Sequence, residues 1–320
     1  MPNKVTHSVV IPVYKNEESI DELVDSLQKL SESIIGVLEV VFVVDGSPDA
    51  SASKINLRFP NEYMTSQVLQ LSRNFGSLSA VRMGLAAAQG DYIAVIAADL
   101  QEPPELIRKF FNKLEEGSSD IVMGRRIARH DNFSSALMAR IYWGNYKRII
   151  NREVPSGGVD VFACTRNVAN QLNKLPEGST SLIGLLFWVG FRREFIDYTR
   201  LSRPYGSSSW TLRKRIRYFM DSVFAFTDIP IIALQFVGLF GILASVILGI
   251  AIFWVSLTGS LNPPGYAALM TVILASTSGI LLGLGVVGSY AWRAYENTKL
   301  RPIAIISEHR IFNKKMEDND

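Results

Sequence analysis

Asp91-Tyr-Ile-Ala-Val-Ile-Ala-Ala-Asp99-Leu-Gln-Glu-Pro-Pro104 is the stretch whose reading decides the fold. Asp91–Ala97 is an apolar run of strand length, and Pro103-Pro104 suits the first turn of a helix. An acid and an amide, Asp99 and Gln101, stand between them. The same unit recurs outward in both directions. Ser8–Val13, Leu38–Val44, Gln67–Leu71 and Asp120–Met123 read as strands. Between them Glu17–Leu30 carries Ile20, Leu23, Val24 and Leu27 at helical spacing, and Ala52–Phe59, Leu78–Ala88 and Pro104–Leu114 read as further helices. Apolar strands alternating with helices predict an α/β fold, a doubly wound, mostly parallel sheet covered on both faces. Ligands bind such sheets at the carboxyl ends of the strands. Here those ends carry Tyr14–Glu17, Asp45–Asp49, Arg73–Gly76 and Asp99–Glu102.

Further along, the composition changes. From Ile229 to Trp292 there is no Asp, Glu, Lys or Arg. Thr258-Gly-Ser-Leu-Asn-Pro-Pro-Gly265 divides this stretch into two apolar runs, Ile231–Leu257 and Tyr266–Trp292. Each exceeds the roughly 20 residues that a bilayer-spanning helix needs. A buried pair of soluble helices would show a polar stripe, and these runs have only Gln235 and scattered Ser and Thr. Two transmembrane helices in a hairpin are therefore expected. Arg213, Lys214, Arg215 and Arg217 precede the first run, and Arg293, Lys299, Arg301, Arg310, Lys314 and Lys315 follow the second. By the positive-inside rule both termini and the preceding domain are expected to face the cytoplasm. Thr211–Thr227 interleaves basic residues with Leu212, Ile216, Phe219 and Phe224, which reads as a juxtamembrane amphipathic helix. Asn132–Ile150 is a weaker example of the same pattern. The expected domains are 1–210, the juxtamembrane helix at 211–228, the spans at 229–292 and a C-terminal tail at 293–320.

Net charge is mild, with 33 Lys+Arg against 30 Asp+Glu. That balance does not point to nucleic acid. One cysteine, Cys164, excludes an internal disulfide and fits a reducing compartment. Met1–His7 has no hydrophobic signal region, so no cleavage or export is expected. Gly279, Gly283, Gly285 and Gly288 give the second run small faces that allow helix packing, including in a homo-oligomer.

Several motifs bear chemistry. Asp99, with Gln101 as a further ligand, can hold Mg²⁺ or Mn²⁺ together with a substrate diphosphate; Asp99 can equally cap the helix behind Pro103. Asp45-Gly-Ser-Pro-Asp49 is either a turn closed by an Asp side chain or a reader of a nucleobase edge. Pro12-Val-Tyr-Lys-Asn-Glu17 adds an aromatic ring and a carboxylate. Arg73-Asn-Phe-Gly76 and Gly124-Arg125-Arg126 place guanidiniums at strand ends, where they suit phosphate.

Taken in order, Pro-x-Tyr-x-Asn-Glu, Asp-Gly-Ser-x-Asp, Arg-Asn-Phe-Gly, Asp-Leu-Gln-x-Pro-Pro and Gly-x-Arg resemble the family 2 glycosyltransferases of GT-A (Rossmann-like) fold. Within them the chain resembles the polyprenyl-phosphate glycosyltransferases, that is, GtrB-like proteins and dolichyl-phosphate mannose synthases. The resemblance runs from about Ser8 to Arg301 and includes Gly157-Gly-Val-Asp160, Arg203-Pro-Tyr-Gly and Gly288-Ser-Tyr290 with Arg293. It implies a nucleotide held by Pro12, Tyr14, Glu17, Asp45, Ser47, Arg73, Asn74, Gly76 and Ala98. It implies a divalent cation at Asp99 and Gln101. Arg125, Arg126 and Arg203 are implied to grip phosphates, and Asp160 to orient the sugar. The sequence departs from the pattern at Val44, Ala97, Ser77, Ser207 and Ser209. Ala97, where the family often has a second Asp, thins the metal site.

The implied reaction moves one sugar, glucose from UDP-glucose, onto a polyprenyl (undecaprenyl) phosphate, inverting the anomeric carbon. A phosphate acceptor is already largely dianionic at neutral pH, its second pKa being about 6, and needs no general base. That agrees with His7, His130 and His309 lying outside every motif. Two helices do not enclose a pore, and the Gln-x-x-Arg-Trp motif is absent, which count against a processive polysaccharide synthase. A non-catalytic membrane scaffold is the remaining alternative.

Overall fold

The computed structural model describes residues 4–128, 144, 153–155, 159, 161–175, 177–178, 180–202, 204–205, 212–257 and 265–314. Two compact units divide the chain, Met1–Tyr218 with Arg301–Asp320, and Phe219–Leu300.

The first unit is built from strands β1 (Val5–Val13), β2 (Val37–Val44), β3 (Thr65–Leu71), β4 (Tyr92–Val95), β5 (Ile121–Ala128), β6 (Phe162–Thr165), β7 (Arg193–Thr199) and β8 (Ile306–Phe312). Its helices are α1 (Ile20–Ser33), α2 (Ser51–Arg58), α3 (Ser77–Ala87), α4 (Pro104–Glu115), α5 (Arg166–Lys174) and α6 (Leu182–Trp188). The strands form one sheet in the order β7-β5-β6-β4-β1-β2-β3-β8. β1 pairs in parallel with β2 and β4, β2 with β3, and β5 with β7. β6 and β8 run antiparallel to their neighbours.

The central strands are near-continuous Val, Ile and Phe because both their faces are covered. On one face Val9, Ile11, Val40 and Phe42 pack with Leu23, Val24 and Leu27 of α1 and with Leu106, Phe110 and Phe111 of α4. On the other face α3 lies so close that a Cβ on Gly84 would stand 2.2 Å from Val10 Cγ1. At the amino ends of the strands, buried Glu39 accepts from Ser8 Oγ (2.6 Å), Gln67 Nε2 (2.7 Å) and Gln89 N (2.7 Å). The shallow hollow beside it, lined in part by Lys4 and Gln67, lies opposite the strands' carboxyl ends.

The sheet departs from the sequence reading in three ways. β4 stops at Val95 rather than Ala97, which lengthens the loop before α4. β6 inserts antiparallel between β4 and β5. The stretch read as a tail supplies β8, the edge strand on β3, where Gln70 Nε2 donates to Glu308 at 2.8 Å. A strand of mixed residues such as Ile306-Ser-Glu-His-Arg-Ile-Phe312 carries little pattern of its own, since one side of an edge strand faces water.

The second unit contains the end of α7 (Leu212–Phe226) together with α8 (Ile229–Leu257) and α9 (Tyr266–Thr298). Windows of α8 and α9 have mean hydropathies of 2.5 and 1.9. Their apolar side chains point outward: Phe240 and Trp254 are each 69% exposed. An apolar surface of this extent needs hydrocarbon around it, so this is a membrane protein. Ser245 and Ser289 return their hydroxyls to the carbonyls four residues back, which satisfies them inside lipid.

The helices of this unit are tied at one end. Asp221 accepts from Arg293 Nη2 at 2.8 Å, and that guanidinium lies 5.1 Å from the Phe224 ring. Phe224 meets Tyr290 edge-on, and the Tyr290 hydroxyl donates to Thr227 O at 3.1 Å. Seven residues further on, Leu234 meets Gly283, seven residues back from Tyr290. Contacts that advance on one helix and retreat on the other define an antiparallel hairpin. Lys299 Nζ lies over the rings of Trp292 and Tyr295, a basic and aromatic cluster of the kind found at headgroup level.

Candidate active site at the carboxyl ends of the strands

Four loops follow the parallel strands β1, β2, β3 and β4, and hydrogen bonds stitch neighbouring loops together. Asp49 is the main knot. Its carboxylate accepts from Ser47 Oγ (2.6 Å), Ser51 Oγ (2.9 Å), Ser51 N (3.2 Å) and Glu17 N (3.1 Å). Burial alone would push Asp49 up, but these hydrogen bonds together outweigh it and hold the carboxyl below its ordinary range. Ser47 Oγ also accepts from Lys15 N at 2.8 Å, and Glu17 Oε2 accepts from Ala50 N at 2.9 Å. The loop after β1 is thus sewn to the loop after β2, with Tyr14 at its start and Pro12 paired with Val43 inside the sheet.

Asp45 sews the next seam. Its Oδ1 accepts from Phe75 N (2.7 Å) and its Oδ2 from Gly76 N (2.9 Å), while Asn74 Nδ2 donates to Asp45 O (3.2 Å). Gly46 has a φ of 58°, and a Cβ there would stand 2.4 Å from the carbonyl carbon of Arg73. Only glycine allows this approach. Burial raises the Asp45 pKa, against the pull of those two amides and of Arg73. Each Asp45 oxygen thus accepts one bond from the neighbouring loop, so the Asp side chain does close on backbone as one of the two sequence readings had it. A carboxylate has further lone pairs, and a base contact here would be additional to the clamp. Arg73 is exposed, and its guanidinium carbon lies over Phe75, 4.2 Å from the ring centroid.

The loop after β4 carries the acids. Ala98 is buried, and its carbonyl accepts from Ser19 Oγ at 2.7 Å. Leu100 has a φ of 58°, as does Lys15 in the loop after β1. Both are non-glycine residues in the left-handed region, a conformation that costs on the order of 1 kcal/mol and that the surrounding structure must hold. Asp99 is 8% exposed, and its Oδ1 accepts from Gln101 N at 3.3 Å. It does not cap α4: the N-cap is Pro103, and no side chain caps the helix. Gln101 Nε2 donates to Leu201 O (3.1 Å) and Leu201 N to Gln101 O (3.0 Å), tying this loop to the exit of β7.

The two adjacent arginines part company, because neighbours on a strand face opposite sides. Arg125 grips Asp197 across the β5–β7 pair, with Nη2 to Oδ2 at 3.0 Å. Its fork is spent on that carboxylate and not gathered with the acids. Arg126 faces the other way and acts electrostatically on Glu102 and Tyr198. Asp160 and Arg203, both expected at the site, lie outside the described residues, as do Asn132–Ile150 apart from residue 144.

Two residues that the sequence reading did not single out belong here. The Glu102 side chain is 2% exposed, and neither oxygen has a hydrogen-bond partner; the Ala97 N–H points toward it without reaching bonding geometry. Arg200, directly after β7, stands 3.8 Å from Asp99 Oδ2 and 3.9 Å from Glu102 Oε1. Burial, then the Asp99 charge, push Glu102 up to about 7, against Arg200 and Arg126. Glu102 announced itself as an acid wedged before Pro103-Pro104. Arg200 gave no signal, since only the sheet order brings it to Asp99.

The Glu102 shift has a testable sign. Its folded pKa lies above its ordinary 4.5, so the fold binds more protons than the unfolded chain between those values. Stability therefore declines from pH near 4.5 to pH near 7 and then levels. Glu102→Gln is expected to flatten that decline and to raise stability at pH 8 by about 3 kcal/mol. Melting of both proteins in detergent across this range checks it; parallel slopes would contradict it.

A hard divalent cation is a fit for these donors. Asp99 offers a carboxylate, and Gln101 its amide oxygen, the nitrogen being held by Leu201. Among the described residues no three of His, Cys, Asp or Glu gather as a metal cluster. The protein's share of ligands is thus thin, as in sites completed by substrate phosphates.

An open α/β sheet with acids, amides and guanidiniums on the loops after β1 to β4 has the architecture of a GT-A glycosyltransferase. Residues 8–171 match the family model described as glycosyl transferase family 2, and the chain belongs to that family. A glycosyltransferase of Synechocystis sp., itself uncharacterized, is 31% identical, covering 94% of this chain and 94% of its own. The SfII prophage-derived bactoprenol glucosyl transferase of Shigella flexneri is 30% identical, covering 95% and 98%. A prophage bactoprenol glucosyl transferase homolog of Escherichia coli K12 is 29% identical, covering 93% and 97%.

Proposed function

We propose that this glycosyltransferase moves a single glucose from UDP-glucose to a polyprenyl phosphate at the cytoplasmic face of the membrane, with inversion at the anomeric carbon. One observation carries the reading: a GT-A site and two lipid-exposed helices occur in one chain, and relatives named for bactoprenol glucosyl transfer match it from end to end. A water-soluble acceptor would require no such hairpin. The basic residues on α7 and after Trp292 support the cytoplasmic orientation.

In this reading the stitched loops after β1, β2 and β3 seat the nucleotide, with Tyr14 and the Arg73–Phe75 stack at their rims. Asp99 and Gln101 hold a divalent cation, which supplies positive charge against the leaving diphosphate. Arg126 and Arg203 bind phosphate oxygens, and Asp160 orients the sugar. The acceptor phosphate attacks as an anion, so the protein's work is positioning and electrostatic stabilisation without proton removal. His7 fits that account: it lies 2% exposed at the amino end of the sheet, 3.0 Å from Glu115 and packed on Phe111.

The test uses protein in detergent with undecaprenyl phosphate and, separately, labelled UDP-glucose, UDP-N-acetylglucosamine and GDP-mannose, with Mg²⁺, Mn²⁺ or EDTA. Label in the lipid extract from UDP-glucose, abolished by EDTA, is expected. Label from another donor alone would replace the sugar. Protein that neither binds a nucleotide nor labels lipid would turn the reading to a membrane scaffold.

A further inference from the structure

Asp99 and Glu102 lie three residues apart on one loop, both nearly buried, and among the described residues the Arg200 guanidinium stands within ion-pair distance of each. The Glu102 oxygens have no hydrogen bonds to spread their charge. Two such acids side by side are costly unless a cation stands near both. Arg200 meets that need loosely, at 3.8 and 3.9 Å, shared between the acids and not forked onto either. A shared cation is displaced more easily than a bidentate one, and a divalent ion seeks the same Asp99 oxygens.

We propose that Arg200 is the resident counter-ion of the Asp99–Glu102 pair and competes with the divalent cation for Asp99. This rests on the reading of Asp99 as the cation's ligand. Arg200 is a positioning residue, acting through Asp99. When the cation takes Asp99, the guanidinium keeps Glu102 alone. Ala97 contributes no second acid, so this competition sets the cation affinity of the protein before a donor adds its phosphates. Even at the dielectric constant of water, repulsion between a guanidinium and a dication a few ångströms apart amounts to about tenfold in affinity.

The probe is Mn²⁺ alone, titrated into full-length protein in detergent, with free ion read by electron paramagnetic resonance. Arg200→Gln is expected to bind Mn²⁺ about tenfold more tightly than wild type, and Arg200→Lys, which keeps the charge, to stay within about threefold of it. Adding Asp99→Asn to Arg200→Gln is expected to remove the gain. Unchanged or weaker binding by Arg200→Gln overturns the proposal, as does a gain that survives in the double variant. Should Arg200→Gln not fold, Glu102→Gln decides: it leaves Arg200 wholly to Asp99, so Mn²⁺ binding weakens, and tighter binding overturns the idea. The titration needs neither donor nor acceptor. A failed transfer assay therefore sinks the proposed reaction alone, and an unchanged Mn²⁺ affinity sinks the competition alone.

Discussion

Asp99→Asn is expected to lower sugar transfer by about 10²–10³-fold, the usual cost of losing one charge-organising group at a reacting centre. The side chain keeps its shape, so the 3.3 Å bond from Gln101 N to the retained oxygen survives and the loop holds. What disappears is the negative charge that seats the cation opposite the leaving diphosphate. Because Ala97 supplies no second carboxylate, nothing nearby on the same strand exit replaces it. Glu102 is close, but burial and then the Asp99 charge push its carboxyl up to about 7, well above an ordinary carboxylate. The thermal midpoint should stay within a few degrees of wild type while the label in extracted lipid collapses. Activity within tenfold of wild type would show that Asp99 is not the ligand that matters.

Asp49→Ala should be the most damaging single change in the nucleotide loops, costing about 3 kcal/mol of stability. Four donors lose their acceptor at once, among them two backbone amides and two serine hydroxyls. The turn after β2 then loses its internal ties and Glu17 N its acceptor, and the donor's KM should rise by about tenfold with a smaller fall in kcat, because the seat and not the chemistry is loosened. The pH dependence separates this cause from a general loosening. The Asp49 carboxyl is held below its ordinary value, so its contribution is present above that value and is lost as pH falls through the folded one. The gap between wild type and variant should therefore be constant above about pH 4 and narrow as the pH falls below it. A gap that does not narrow below that pH would point elsewhere.

These two residues differ in how visible they were. Asp99 follows an apolar run and precedes two prolines, so its place at a strand exit was legible from local pattern. Asp49 was visible only as the end of a turn motif. Its bonds to Ser47 and Ser51 are local to the turn, but the one that gives it a role, from Glu17 N, exists only once β1 and β2 lie side by side. Asp45 shows the reverse: the motif was plain, but its oxygens turned inward to the amides of the next loop. Arg125 and Arg126 are adjacent in the chain, and strand alternation sends one to Asp197 and the other toward Glu102. β8 was missed because an edge strand with one wet side has neither helical nor alternating regularity strong enough to declare it.

By itself the sequence determined the alternation of strands and helices, the strand exits that carry polar residues, and the two spans. Each of these follows from local hydrophobic periodicity, which needs no partner to be read. The tertiary structure decided what lies between distant segments. It closed the sheet with β6 and β8, committed Asp45 and Asp49 to neighbouring loops, and set Arg200 beside Asp99. Such pairings are separated by tens to hundreds of residues, and their geometry is fixed by strand order and register, which no local pattern encodes.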